Sequence, residues 1–227
     1  MSDSSSPPSA PDISAGANPG IGCFIMGLAA FILIGVAVFF IYQGLRMDKA
    51  INAFTDPKPA SYPVEEPTDD EKNGLYQRLE DFAKAAHANE QTKLSLDADD
   101  LNHLIATSPI LKDYRGTAFV TEISDFFIIA DLSQMINRIL PGNPRYLNAK
   151  FSLTPFLRDD KTVRLDVKNI TSTKYDIPQG FVDLYGQRQV LQFDEDNPIL
   201  GPILQRLQSI DVKDNTIQIT TFPADPE

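Results

Sequence analysis

Residues 21–42, IGCFIMGLAAFILIGVAVFFIY, hold no charged side chain, and no polar stripe recurs among them at helical spacing. Wound as a helix the run is about 33 Å long, enough for a hydrocarbon core of about 30 Å, so the pattern predicts a transmembrane helix over 21–43. Tyr42 and Arg46 supply the interfacial aromatic and the snorkelling cation expected at one edge. A cleavable signal peptide fits poorly, because the apolar run is too long, lacks a basic n-region and is followed by no small-x-small site. Residues 1–20 carry six serines, four prolines and Ile13 as their one branched aliphatic, which predicts a disordered tail. Prolines 57, 59, 63 and 67 make residues 44–67 read as a semi-extended tether.

From Thr68 the pattern becomes globular and stays so to Phe222, leaving 223–227 as a short C-terminal tail. Thr68 and Glu71 have capping-box spacing, and Leu75, Leu79, Phe82, Ala83 and Ala86 follow at spacings of three and four, one helical face. Leu94 and Leu96 alternate as a short strand. Asp97 then takes an N-cap position with Asp100 as the capping-box acid, and Leu101, Leu104 and Ile105 form the next apolar stripe. Asn102, a polar amide beside that stripe, has a structural use if it bonds the backbone of a neighbouring strand. Ser108-Pro109 begins another helical turn, and Gly116 releases the chain into strands.

The run FFIIADL (126–132) is almost continuously apolar. It predicts either a central strand buried on both faces, or an apolar ligand-contacting wall formed by Phe126, Phe127, Ile128 and Ile129. The clearest period-two signal follows. Leu147, Ala149, Phe151, Leu153, Pro155 and Leu157 occupy odd positions, and Val163, Leu165 and Val167 do the same after a turn at 158–161. That is a long antiparallel hairpin, with Pro155 marking an edge or a bulge. Pro178 starts a helix holding Phe181, Val182 and Tyr185; a second helical piece from Pro198 holds Ile199, Leu200, Ile203, Leu204 and Leu207. Ile210, Val212, Ile217 and Ile219 flank a turn at Asp214-Asn215. The predicted class is α+β: an N-terminal transmembrane helix, then a domain over 68–222 whose antiparallel, curved sheet is packed by helices.

Charge narrows the partners. Twenty Lys+Arg against 31 Asp+Glu give a net charge of −11, which opposes binding to nucleic acid or tight adsorption on anionic headgroups. The single cysteine, Cys23, excludes an intrachain disulfide. With Gly27 and Ala30 it forms a small-residue stripe of the kind that lets membrane helices pair, a pattern common in such helices in any case. Arg46, Lys49 and Lys58 follow the span while no basic residue precedes it, so the positive-inside rule favours a cytoplasmic domain.

Candidate chemistry is sparse. The cluster Asp97–His103 fails as a calcium loop, because its fifth, sixth and twelfth positions are Leu101, Asn102 and Ser108. Asp99 and His103 share a helical face but are too few to hold a metal. Paired acids at Asp159/Asp160 and Asp194/Glu195/Asp196 sit in turn-like sequence, and no G-x-S-x-G elbow or phosphate-binding glycine loop occurs. Asn169-Ile170-Thr171 matches a glycosylation sequon, a triplet common by chance. The expectation is no catalytic residue, no metal and no cofactor.

LSLDADDLNHLIATSPIL, RYLNAKFSL, the Pro178 helix and IDVKDNTIQI together resemble a group of uncharacterised bacterial single-span membrane proteins. In that group a Ser/Pro-rich tail precedes the span, and an L-x-L-x-x-x-D-L-N-x-L-I element precedes a hairpin opening R-Y-L-N. The signature falls here on Asp97, Asp100, Leu101, Asn102, Tyr146 and Asn148. More loosely the chain is similar to membrane-anchored families with a tubular or curved-sheet lipid-binding fold. The resemblance implies a bacterial cell-membrane protein with an extracytoplasmic domain, against the charge rule. It brings no activity. The expected function is a non-enzymatic membrane-anchored module binding a lipid or other apolar ligand. The alternative is a scaffold that docks a membrane-protein partner. In either case residues 21–43 contact the bilayer.

Overall fold

The first element is longer than the hydrophobic pattern alone suggests. In the computed structural model, which describes residues 19–136, 143–186, 189–193 and 201–222, helix α1 runs Pro19–Ala53. It is long and apolar enough to cross a membrane over Met26–Ala53. The chain divides into two compact units, 1–47 and 48–227. In the first, apolar side chains such as Phe31 and Phe40 are exposed along the helix. Most of the 1–20 tail lies outside the described residues, as do the 223–227 tail, the acids 194–196 and residues Ile199 and Leu200.

The second unit begins well before Thr68, which corrects the tether reading of 44–67. Residues 44–53 continue α1, and the next stretch is part of the folded domain. Phe54 and Thr55 are buried, and Asp56 forms an antiparallel bridge with Tyr146. The Ala60 amide donates to Asn148 Oδ1 at 2.9 Å, and the Tyr62 amide to the Gly116 carbonyl at 2.9 Å. Pro57, Pro59 and Pro63 alternate with these bonded residues. A proline has no N–H to satisfy, so the composition that suggested a free tether equally suits an extended strap lying on a folded surface.

Helix α2 (Asp69–His87) and helix α3 (Ala98–Thr107) each start with a reciprocal capping box, Thr68 with Glu71 and Asp97 with Asp100. A short 3-10 helix, Pro109–Tyr114, follows α3. Later come α4 (Gln179–Gly186) and α5 (Gly201–Arg206). Gly186 is required where α4 meets the sheet, because a Cβ there would lie 2.9 Å from the Val167 carbonyl oxygen.

Among the described residues the strands are β1 (Lys93–Leu96), β2 (Ala118–Ile123), β3 (Ile128–Ile136), β4 (Arg145–Leu157), β5 (Val163–Thr171), β6 (Gln189–Phe193), β7 (Leu207–Lys213) and β8 (Thr216–Thr221). They form two antiparallel sheets. One is a five-stranded meander, β2-β3-β4-β5-β6; the other has the order β1-β8-β7. The sheets do not join into a closed tube. Register shifts at Val120/Glu122, Ser152/Leu153 and Arg164/Asp166 place three bulges in the larger sheet, each a source of local bending. The hairpin β7–β8 turns on Asp214 and Asn215, both with positive φ, the conformation a two-residue hairpin loop demands.

Three further expectations change. FFIIADL is not one strand: Phe126 and Phe127 lie in the β2–β3 turn, and β3 starts at Ile128. Of the two readings for Pro155 the edge fails, because β4 is a central strand, while a bulge does lie close by on that strand at Ser152/Leu153. β3 has already ended opposite Leu153, however, so Pro155 pairs only with Leu165 of β5 and deprives no second neighbour of a bond. Leu207 opens a strand instead of closing a helix, and β6 was not anticipated.

The main core sits between the sheets. Leu147, Ala149, Phe151 and Leu153 of β4 are buried on the inner face, where Ile217 of β8 and Val182 and Tyr185 of α4 join them. A second cluster places Leu75 and Phe82 of α2 against Leu94, Leu96, Leu204 and Leu207.

Candidate functional site

Three places gather unusual side chains: an apolar cavity, a polar pocket beside it, and the clamp that holds the strap.

The cavity depends on how α3 is fixed. Its N-terminus is set by the Asp100 amide donating to Asp97 Oδ1 at 2.8 Å and the Asp97 amide donating to Asp100 Oδ2 at 3.2 Å. Asp100 also pairs with Arg78 of α2, and Arg78 donates to the Ser95 carbonyl at 3.3 Å. One turn on, the buried Asn102 amide brackets Val120: Nδ2 donates to its carbonyl at 2.9 Å, and Oδ1 accepts from its N–H at 2.8 Å. Val120 lies on the sheet edge next to a bulge, so Asn102 takes the place of a missing neighbouring strand. With α3 held at both points, Leu101, Leu104 and Ile105 project between the two sheets.

There they line a cavity of about 270 Å³ that is half open to solvent. Its floor is the larger sheet, through Ala118, Val120, Ile128, Ala130, Leu132 and Leu153. Leu96, Ile210, Ile217 and Ile219 of the smaller sheet face them, and Leu111 and Tyr114 close the end beyond α3. Pro155, Val163, Arg164 and Leu165 complete the wall. Every lining residue except Tyr114 and Arg164 is aliphatic or proline. Arg164 pairs with the exposed Phe156, whereas Leu165 pairs with the buried Pro155. Strand alternation therefore directs the Arg164 side chain to the other face of β5, where its Nε is buried with no hydrogen-bond partner among the described residues. Burial, with the nearby Asp113 carboxylate, pushes the Tyr114 hydroxyl pKa up, so it stays protonated. Alanines at 118 and 130 leave the floor unfilled where larger residues would close it.

Of the wall expected from sequence, only Ile128 lines this cavity. Ile129 points to the opposite face of β3, and Phe126 is 72% exposed. Phe127 is exposed beside it. Sequence reasoning missed the α3 stripe and the β8 isoleucines as walls. Their alternation marks a buried face but not which faces meet around a void.

The polar pocket, about 400 Å³, lies between α2 and α3 and is rimmed by Glu71, Arg78, Asp97, Asp99, Asp100 and His103. Asp97 and Asp100 are engaged in the cap and the ion pair, and Glu71 accepts from the Thr68 amide at 2.8 Å. Among the described residues no group of three His, Cys, Asp or Glu is placed to hold a metal.

The clamp is the R-Y-L-N element. Arg145 donates to the Thr55 hydroxyl at 3.1 Å and to the Asn52 and Thr55 carbonyls. Tyr146 exchanges two backbone bonds of 2.8 Å with Asp56. Asn148 donates to Asp56 Oδ2 at 3.0 Å and to the Lys58 carbonyl at 3.1 Å, while its Oδ1 accepts from Ala60 and Ser133. Asp56 Oδ1 also accepts from Lys174 at 2.5 Å and from the Tyr175 hydroxyl at 2.6 Å. Burial opposes the Asp56 charge, but the bonds from Lys174, Tyr175 and Asn148 outweigh it and hold the carboxyl below its ordinary range.

A pH dependence follows. A depressed folded pKa means that the contribution of Asp56 is fully present above the unfolded value near 4 and is lost as pH falls through the lower folded value. Hydrogen-exchange protection of residues 54–62, taken relative to the intrinsic rate at each pH, is expected to fall below about pH 4, and Asp56→Asn to remove most of that dependence. An identical acid response in the variant would assign it to other carboxylates.

Leu147, between Tyr146 and Asn148, is fully buried in the core, so one short element serves both the inner face and the strap. No family model, curated protein or solved structure matches this chain.

Proposed function

We propose that the protein is a non-enzymatic module, anchored in a bacterial cell membrane by α1 as its single span, that binds a lipid or other apolar ligand between its two sheets. The observation that carries this reading is the aliphatic cavity. Left without an occupant, this cavity of about 270 Å³, half open to solvent, keeps its aliphatic walls against water, and each methylene buried there contributes about 0.8 kcal/mol. An apolar ligand is therefore the physically sensible occupant. Water is a poor one, since the walls offer too few polar partners to hold it. The walls also offer no nucleophile and no base beyond the Tyr114 phenol. The span supplies a bilayer, the nearest source of apolar molecules.

Mass spectrometry of organic extracts from the purified full chain tests the proposal. The wild type is expected to carry a co-purifying apolar molecule at near-stoichiometric amounts. Leu104→Trp, which fills the cavity from its half-buried helical wall, is expected to lose most of it while keeping wild-type circular dichroism. Equal extracts from the two proteins would sink the reading. Recovery of a stoichiometric protein instead would favour a scaffold role, for which the exposed Phe126 and Phe156 are the supporting observation.

A further inference from the structure

We infer that the cavity admits a single unbranched hydrocarbon chain, methyl end first, to a depth of about nine carbons, and leaves the head group outside. This rests on the apolar-ligand reading and adds the class, the direction and the length.

The direction follows from the walls. A carboxylate, phosphate or amide inside would lose its water and find at most the Tyr114 hydroxyl to replace it, at a cost of several kcal/mol for a neutral polar group and far more for a charge. The head must therefore stay in solvent or among other head groups. The side of entry follows from burial. Ala118, Ile128 and Ala130 on the floor are buried, as is Ile217 facing them, whereas Leu104 on α3 and Val163 at the start of β5 remain partly exposed.

The length follows from the volume and from the rigidity of the floor. At about 30 Å³ per carbon-sized group, the share of one molecule in liquid water, about 270 Å³ holds roughly nine. The floor cannot retreat to admit more. β3 is hydrogen-bonded to β2 on one side and β4 on the other, so deepening the cavity means breaking ladder bonds.

The test is a series of n-alkanoates and n-alkanols of six to sixteen carbons, titrated onto the full chain in amphipol. Binding is read from methyl NMR shifts of Ile128 and Ile217, which line the cavity. Affinity is expected to rise about fourfold per methylene up to about nine carbons and to stay within about twofold beyond. Acid and alcohol of equal length should agree within about threefold, because neither head enters. Leu104→Trp should move the plateau to shorter chains. A rise continuing to sixteen carbons, or a tenfold preference for one head group, would overturn this inference and leave the apolar site standing. Unmoved Ile128 and Ile217 methyls throughout the series would overturn both.

Discussion

Phe54→Ala is expected to destabilise the folded domain by about 3–5 kcal/mol, a fall in melting temperature on the order of 10 °C. The size of the effect comes from where the ring sits. Phe54 is 3% exposed, and its ring centroid lies 4.8 Å from that of Phe181 on α4. Phe181 stacks on Tyr185 at 5.4 Å, and Tyr185 meets Phe151 of β4 at 6.0 Å. Removing the first ring opens a hole at the end of this aromatic series and unseats the strap that Arg145, Tyr146 and Asn148 hold. Thermal unfolding of the full chain in detergent, followed by near-ultraviolet circular dichroism, reads the loss. Limited proteolysis should also show new cleavage within 54–66. A variant that melts with the wild type, with both proteins cleaved equally within 54–66, would return this segment to the status of a free tether.

Asn102→Ala is the second large effect, expected at about 2–5 kcal/mol. The substitution removes little apolar contact. It leaves the N–H and C=O of Val120 buried without partners, each worth about 1–3 kcal/mol unsatisfied. Asn102→Asp separates the two bonds, because it keeps an acceptor for the Val120 N–H but puts a carboxylate against the Val120 carbonyl. It should be at least as destabilising near neutral pH and should recover partly in acid, where the protonated acid can donate. Denaturant midpoints at two pH values check this. If Asn102→Ala unfolds within 0.5 kcal/mol of wild type, the double bond to Val120 is not what holds α3 in place.

Much of the local structure was legible from residue spacing. Both capping boxes, the period-two hairpin of β4 and β5, the Pro178 helix and the Asp214-Asn215 turn all follow from patterns within or between adjacent elements. Such contacts depend on backbone geometry that neighbours along the chain impose on one another. Even the role of Asn102 could be read that way, since a polar amide beside an apolar stripe needs a backbone partner. The run at 126–132 shows the limit. Its apolar count is real, but two phenylalanines fall in a turn, and only alternate residues of the rest face inward. Composition over seven positions cannot separate a strand buried on both faces from a turn followed by a strand.

The sequence by itself therefore determined the apolar helix, the α+β class, the caps and the inward face of the central hairpin, all set by short-range periodicity. The tertiary structure alone decided that residues 54–62 belong to the domain, that R-Y-L-N is their clamp, and that α3 and two sheets leave an aliphatic void between them. Asp56 and Asn148 are 92 positions apart, and Leu101 and Ile219 share a wall across more than half the domain. Which distant faces meet depends on the packing of the whole chain, and a cavity is the volume that this packing leaves unfilled.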